Sequence, residues 1–235
     1  MLNWAARYFP ILRVLRRHIA DGQTILEVGS GSFGLASFCR HRVVGCDVKF
    51  PCQPKEPLLP VNCSATKLPF ADRSFEAVVV SDVLEHLPPT ERREAVREAL
   101  RVTRKLAVFG FPTGALAYAQ DREFYEYHRR LRRAPPDWLV DHMQHPFPTG
   151  DLFADFQDEW MIESFGNESL RFHDWMNRME MYRIWLHFHR LLLKLVPRLV
   201  ERVLRAFDHE PFYRRIFVLT PQVDQGAQPK CRKAN

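Results

Sequence analysis

The chain has 235 residues, a formal net charge of +6 and 46% hydrophobic residues. It can therefore bury a sizeable core and is expected to form one domain with an elaboration. No run reaches the ~18–20 uncharged apolar residues that a bilayer span requires. The five cysteines are an odd number without a C-x-x-C pair, which argues against a disulfide framework or a zinc site and favours a reducing compartment.

The first 22 residues are rich in arginine and carry no acid before Asp21. The arginines interrupt any apolar core, which argues against a secretory signal. We predict a helix that packs on the first strand, with a mitochondrial targeting segment as the alternative. The expected location is therefore cytoplasmic, either free or peripheral to a membrane. The apolar face of this helix consists of Ile11, Leu12, Leu15 and Ile19.

Residues Thr24–Gly34, T-I-L-E-V-G-S-G-S-F-G, combine an apolar β-type run with a glycine-rich loop. The glycines have G-x-G-x-x-G spacing, which lets the backbone turn sharply and lets a ligand approach the main chain. A second apolar run, Val43–Asp47, ends in a carboxylate that can accept hydrogen bonds from both ribose hydroxyls of a nucleoside. Together the two segments predict a nucleoside-cofactor site.

Glu27 helps to choose among nucleoside cofactors. The glycine pattern alone is also typical of nicotinamide and flavin enzymes. A dinucleotide would bring its pyrophosphate close to this loop, where the Glu27 carboxylate would repel it. A cofactor with a cationic amino group and no phosphate would tolerate or use Glu27.

The segment Cys63–Leu87 reads C-S-A-T-K-L-P-F-A-D-R-S-F-E-A-V-V-V-S-D-V-L-E-H-L. With the glycine loop it resembles the class I S-adenosylmethionine-dependent methyltransferases, specifically the broad small-molecule group with an LPF…SF…LEHL signature. The resemblance extends from about Thr24 to Thr113. It implies S-adenosyl-L-methionine as cofactor. It also implies an α/β fold with a doubly wound, mostly parallel, seven-stranded Rossmann-like sheet whose last strand is antiparallel.

The remaining elements agree with this order, with one departure. The family usually has a helix where Lys49–Pro60 carries four prolines, which exclude a regular helix. The predicted strands are Thr24–Val28, Val43–Asp47, Leu59–Asn62, Ala77–Val80, Leu106–Phe111, Met161–Phe165 and Ile216–Thr220. The predicted helices before the last two strands are a short one near Gly34–Cys39, then Thr90–Thr103, Ala115–Arg133 and Pro136–Met143.

The resemblance also implies which residues hold the cofactor. The loop at Gly29, Ser30 and Gly31 would hold the methionine end, and Asp47 the ribose. Ser64 and Ala65 align with a pair that is usually Asp-Ala, so adenine recognition is expected to be weaker. The predicted cofactor-binding residues are Glu27, Gly29, Ser30, Gly31, Asp47, Ser64, Ala65 and Ser81.

His86 is the candidate general base, because an unperturbed imidazole pKa near 6.5 suits proton removal at neutral pH. The alternative is that the E-H-L segment is structural. Methyl transfer needs no dedicated catalyst, since holding the nucleophile in line supplies much of the acceleration. No histidine cluster has metal-ligand spacing, so we predict no metal. The substrate-side candidates are Asp82, Tyr118, Tyr125, His128 and His142.

A helical insertion or cap, 170–208, is predicted between the last two strands of a single domain, 1–222, with a flexible tail at 223–235. One helix is expected over Phe172–Val196 and a second after Pro197, reaching Phe207. Both are basic and amphipathic, so the insertion could cap the active site, form a dimer seam or lie in a membrane interface. The basic strip of the first helix is Arg183, His187, Arg190 and Lys194.

The sequence thus predicts a methyltransferase that acts on oxygen or nitrogen of a small or lipid-linked apolar acceptor. One alternative is a non-catalytic methyltransferase-like module that docks on a membrane or a protein partner through 172–207. Another is an NAD(P)-dependent oxidoreductase. A nucleic-acid substrate is disfavoured, because the basic residues of the core are mixed with acids. The oligomeric state is left open.

Overall fold

The computed structural model describes residues 2–39, 41–54 and 56–222, and within them a seven-stranded sheet of order β3-β2-β1-β4-β5-β7-β6. Strands β1 to β5 are mutually parallel, and β7 runs antiparallel to both of its neighbours, β5 and β6. This arrangement confirms the predicted fold class. The strands are β1 Ile25–Val28, β2 Val43–Asp47, β3 Leu58–Asn62, β4 Phe75–Ser81, β5 Thr103–Pro112, β6 Trp160–Ser169 and β7 Phe212–Pro221.

Helices cover both faces of the sheet. One core lies between the sheet and α2 together with the 3₁₀ segment Gly150–Phe156, and a second core lies between the sheet and α1. The central strand β4 is buried on both faces, as its unbroken apolar run predicts. The helices are α1 Leu2–His18, α2 Pro89–Val102, α3 Gly114–Arg130, α4 Asp137–His142, α5 Leu170–Glu180, α6 Arg183–Leu195 and α7 Pro197–Ala206.

The predicted helix Phe172–Val196 is wrong as one continuous element, because the chain turns at Met181–Tyr182 and forms α5 and α6. Neither proline nor glycine marks this turn in the sequence. The turn lets Glu180, Met181 and Leu186 line one cavity, whereas Ile184 points to solvent with 75% of its surface exposed. Tertiary packing, and not local propensity, therefore sets the break.

The remaining predictions concern the proline-rich segment, the helix after the glycine loop, the insertion, the tail and membrane spans. No helix forms in the described part of Lys49–Pro60, and only a short 3₁₀ turn, Leu35–Ser37, follows the glycine loop. Helices α5 to α7 lie between β6 and β7, where the insertion is predicted. The predicted tail 223–235 lies outside the described residues. Among the helices that are described, none is long and apolar enough to cross a membrane.

Candidate active site

The carboxyl ends of β3, β2, β1 and β4 lie side by side, because these four strands are adjacent and parallel in the sheet. Each of the predicted cofactor residues lies on, or directly after, one of these strands. Open parallel sheets bind ligands in the crevice at this edge, at the point where strand order reverses. Here the reversal falls between β1 and β4. The fold therefore places the predicted cofactor residues along one continuous crevice, which we call the cofactor edge.

The glycine loop after β1 owes its shape to close contacts that only glycine allows. Gly29, Gly31 and Gly34 all have positive φ, and a Cβ at Gly29 would overlap the side chain of Val83. A Cβ at Gly34 would overlap the carboxylate of Glu27. By contrast, the space beside Gly31 is open. The loop is therefore packed firmly on two sides and open at Gly31.

Glu27 lies beneath the glycine loop, with only 1% of its surface exposed. The Leu35 N–H donates to its Oε2 at 2.7 Å. Burial raises the pKa of Glu27 to about 7, and hydrogen bonds from Tyr8 and the Leu35 amide offset part of that rise. The structure thus gives Glu27 a role in bracing the loop, while its direct contact with a cofactor stays a prediction.

Asp47 ends β2 and is half-buried at the crevice. Its Oδ2 accepts the Gly31 N–H at 2.8 Å, and its Oδ1 accepts the Lys49 N–H at 3.1 Å. A carboxylate has about four acceptor positions, so both oxygens can still accept hydroxyl donors. Asp47 therefore fixes the glycine loop and keeps the capacity that a ribose would need.

The other predicted cofactor residues differ in accessibility. Ser30 is buried and its hydroxyl donates to the Gly31 carbonyl at 3.0 Å. Ser64 is exposed after β3, with its hydroxyl 2.8 Å from that of Thr66, and Ala65 beside it is half-buried. Ser81 is buried at the end of β4, and its hydroxyl has no partner among the described residues. An open edge with an unpartnered hydroxyl and a free acceptor at Asp47 fits a bound nucleoside.

A cavity of about 590 Å³ opens beside the end of β4, and we call it the acceptor cavity. Its volume lies within the range typical of small-molecule sites. Asp82, which directly follows Ser81 of β4, belongs to its wall, and most other wall residues come from α1, α3, α4, α5, α6 and β7. Its aromatic and imidazole side chains include Trp4, Phe124, Trp138, His86, His128 and His142.

Asp82 is tied to two arginines that sequence reasoning did not identify. Arg214 of β7 donates to both carboxylate oxygens at 2.9 Å, and Arg7 of α1 approaches Oδ2 at 2.6 Å. Arg214 also pairs with Glu168 at 3.0 Å. Although burial opposes it, the charge of Arg214 and then Arg7 lowers the pKa of Asp82 to about 2. Asp82 thus holds α1 and β7 at the cavity.

Two histidines face the cavity in different environments. Burial lowers the pKa of His86 to about 4, so its imidazole is neutral and a weak base at neutral pH. His142 Nδ1 lies 2.6 Å from Asp121 Oδ2, which also accepts the Tyr213 hydroxyl at 2.8 Å. Because a carboxylate only accepts, Nδ1 carries the proton and Nε2 is the free acceptor. This is the carboxylate–imidazole pairing found in catalytic bases.

Glu85 is fully buried, and its Oε1 lies 3.9 Å from His142 Nε2. Neither of its oxygens has a hydrogen-bond partner among the described residues. Burial and the neighbouring Asp82 raise its pKa well above the usual range, which favours its neutral form. Atoms of Glu85, His86 and His142 that could ligate a metal all lie within 4.8 Å of one another. The prediction of no metal stays a prediction, which elemental analysis of the purified protein tests.

The remaining substrate-side candidates separate into two groups. His128 lines the cavity, buried against the edge of Phe124. Tyr118 packs on Phe147, and neither Tyr118 nor Tyr125 is among the described residues of the cavity wall. The wall also contains residues that the sequence analysis missed, which stand far apart in the chain and share no motif: Asn3, Trp4, Arg7, His173, Asn177, Tyr213 and Arg214.

Comparison with protein families assigns residues 26–111 to a family model described as a methyltransferase domain. This range contains the glycine loop, Asp47, Ser64 and the L-E-H-L segment. No curated protein sequence matches the chain. The family match gives no support to the oxidoreductase alternative.

Solved structures share the fold at low identity. A Haemonchus contortus phosphoethanolamine N-methyltransferase 2 in complex with S-adenosyl-L-methionine has a TM-score of 0.52 at 17% identity, covering 89% of this chain and 51% of that one. A methyltransferase candidate in complex with the Haloferax volcanii Trm112 methyltransferase activator has a TM-score of 0.53 at 15% identity, covering 93% and 96%. A methyltransferase candidate from an antibiotic biosynthesis pathway of Anabaena variabilis gives 0.50 at 13%, covering 91% and 98%. The chain spans about half the length of the first of these, 51%.

Proposed function

Because the chain carries a class I S-adenosylmethionine-dependent methyltransferase domain, we propose that it methylates oxygen or nitrogen of a small or lipid-linked apolar acceptor. The observation that carries this proposal is the position of the acceptor cavity. It begins at Asp82, the residue after Ser81 at the cofactor edge. An acceptor in this cavity therefore lies next to a cofactor in the crevice, as in-line transfer requires.

Both backbone and side-chain groups of the crevice would bind the cofactor. The open backbone at Gly31 would receive the methionine end, and Asp47 would accept the ribose hydroxyls through its remaining acceptor positions. Ser64 would take the adenine edge as a neutral acceptor. Bound S-adenosylmethionine supplies the methyl group on a sulfonium. The protein's task is then to orient the acceptor and exclude water.

The cavity wall suits an acceptor with a flat or apolar body and one titratable group. Trp4, Phe124 and Trp138 supply apolar faces. The charges of Arg7 and Arg214 are compensated by Asp82 and Glu168, so they do not add a strong net charge to the cavity. The imidazoles are then the groups that are placed to accept a proton from the acceptor.

We assign proton acceptance to Nε2 of His142, held by Asp121, and treat His86 as the second candidate. Removing a general base typically costs about 10²–10⁴-fold in rate. His142→Gln is expected to lower kcat by at least about 10²-fold. His86→Gln is the matched control, with a smaller expected effect. A larger loss in His86→Gln would return the role to His86.

The first experiment is thermal unfolding with S-adenosylmethionine, S-adenosylhomocysteine or NADPH. A ligand at a hundred times its Kd adds ~2.7 kcal/mol, which raises Tm by several degrees. We expect a shift with the first two ligands, reduced in Asp47→Asn because the charge-assisted bonds are lost. Asp158→Asn, an exposed carboxylate before β6, is the control. Stabilisation by NADPH alone would contradict the proposal.

The acceptor class is tested by incubating the protein with radiolabelled S-adenosylmethionine and a total metabolite extract, then separating aqueous and organic phases. Label in the organic phase identifies an apolar acceptor, and chromatography of that phase separates a lipid-linked product from a small one. A labelled aqueous species that is resolved from unreacted S-adenosylmethionine identifies a small polar acceptor. Cofactor binding without transfer into either phase would favour the non-catalytic alternative.

A further inference from the structure

Helix α6 exposes an apolar stripe that runs along its length. Ile184, Phe188, Leu191 and Leu195 repeat at intervals of four, three and four residues, and their exposed fractions are 75%, 47%, 53% and 66%. Residues with this spacing lie on one face of a helix. The only buried residue of α6 is a histidine, His189. The helix thus turns one apolar face toward solvent, while Leu192 and Leu193 pack on the core cluster beside α1.

Helix α7 continues this apolar surface. Leu199, Val203 and Phe207 are 54%, 48% and 38% exposed and lie one helical turn apart. Between α5, α6 and α7 lies a groove of about 690 Å³ with an almost wholly apolar lining, which includes Phe172, Trp175 and Leu192. Contiguous apolar surface of this kind is rarely left exposed and indicates a binding face.

Basic side chains accompany the apolar stripe along both helices. On α6, Arg183, Arg190 and Lys194 each precede a stripe residue by one position, and on α7 Arg198 and Arg202 do the same. With Arg205, the two helices carry six arginines or lysines and one acid, Glu201. Glu201 is paired with Arg13 of α1, whereas none of the six cations forms an ion pair within the described residues.

We propose that the α6–α7 face docks on an anionic lipid surface. A protein interface would accept the apolar stripe alone, but unpaired cations at its border match the negative charge of lipid headgroups. The stripe would enter the boundary between headgroups and acyl chains, and the cations would remain at headgroup level. This proposal does not depend on the methyltransferase activity, because lipid binding is measured without turnover.

Docking would also orient the acceptor cavity. Helix α5 separates the cavity from the groove, with His173 and Asn177 on the cavity side and Phe172 and Trp175 on the groove side. A lipid-linked acceptor could then reach the cavity while its chain stays in the membrane.

The test is co-sedimentation of the whole chain with vesicles of phosphatidylcholine, with or without one-third phosphatidylglycerol. Wild-type protein is expected to bind the anionic vesicles at least tenfold more tightly, with affinity falling as salt increases. Lys194→Glu should weaken binding roughly tenfold, whereas Lys105→Glu, an exposed lysine at the amino end of β5, should leave it unchanged. Ile184→Ser/Leu195→Ser should weaken binding by a similar factor, because it removes inserted apolar surface.

Three results would overturn the proposal. The first is absence of binding to anionic vesicles by folded wild-type protein. The second is an equal loss in Lys194→Glu and Lys105→Glu. The third is a stable dimer, seen by light scattering, that Ile184→Ser/Leu195→Ser dissociates, which would make a second copy the occupant. Because both serine positions are exposed, circular dichroism should show that the variant folds.

Discussion

The cofactor edge and the acceptor cavity are built in different ways. The cofactor edge uses short consecutive segments after β1 to β4, and its contacts involve mainly the backbone, as between Asp47 and Gly31. The cavity uses side chains brought together over long separations, such as Arg7, Asp82 and Arg214. A site made of backbone contacts is therefore encoded in short stretches of sequence, whereas a network of side chains depends on the whole fold. Three pairs of substitutions test this contrast.

The largest expected effect is that of Asp82→Asn on the acceptor side. Breaking a buried ion pair from one side typically costs about 3–5 kcal/mol, since it leaves Arg7 and Arg214 partly uncompensated. Asn tolerates the φ of 51° at this position, so the loss reports charge and not backbone strain. Urea unfolding measures it. Asp155→Asn, whose 54%-exposed carboxylate pairs with Arg93, should cost less than about 1 kcal/mol.

The pH dependence gives a second readout of Asp82. Its pKa of about 2 lies below the usual 3.8, so its contribution is complete above pH 4 and is lost as the pH falls toward 2. Asp82→Asn should flatten stability over this acid range. Equal losses in the Asp82 and Asp155 variants would contradict the assigned network.

The second effect concerns Glu27 beneath the glycine loop. Its pKa of about 7 lies above the ordinary 4.5, so the folded state keeps a proton that the unfolded state releases between these values. Stability is therefore expected to fall by up to about 3 kcal/mol as the pH rises from 4.5 to 7. Glu27→Gln should remove this decline, as seen in unfolding curves across the range. Glu163→Gln, at an exposed position of β6, should keep it.

The smallest effect compares two glycines of the same loop. Both have positive φ, but a Cβ at Gly34 meets the Glu27 carboxylate, while the space beside Gly31 is open. Gly34→Ala is expected to cost about 2 kcal/mol of unfolding free energy, and Gly31→Ala about 1 kcal/mol from backbone strain alone. The affinity for S-adenosylmethionine should show the opposite order. Gly31→Ala should weaken binding more than Gly34→Ala, because the open backbone at Gly31 would receive the cofactor. Equal losses without ligand would show that the loop relaxes around Glu27.

Much of the fold was predictable because its signals are local. Apolar runs followed by turn residues indicated all seven strands, and the observed β6 and β7 differ mainly by being longer than Met161–Phe165 and Ile216–Thr220. The glycine spacing and Asp47 indicated the crevice. The turn at Met181–Tyr182 was not predictable, because both flanking segments favour helix and only their packing around the cavity separates them.

The positions of the strands, the glycine loop and Asp47 could be predicted from the sequence, because each depends on residues that are neighbours in the chain. Tertiary structure alone decided that Asp121 orients His142, that Arg7 and Arg214 neutralise Asp82, and that the stripe of α6 faces solvent. The physical reason is distance. Burial and charge pairing act between groups that are close in space, and Asp82 and Arg214 stand 132 positions apart.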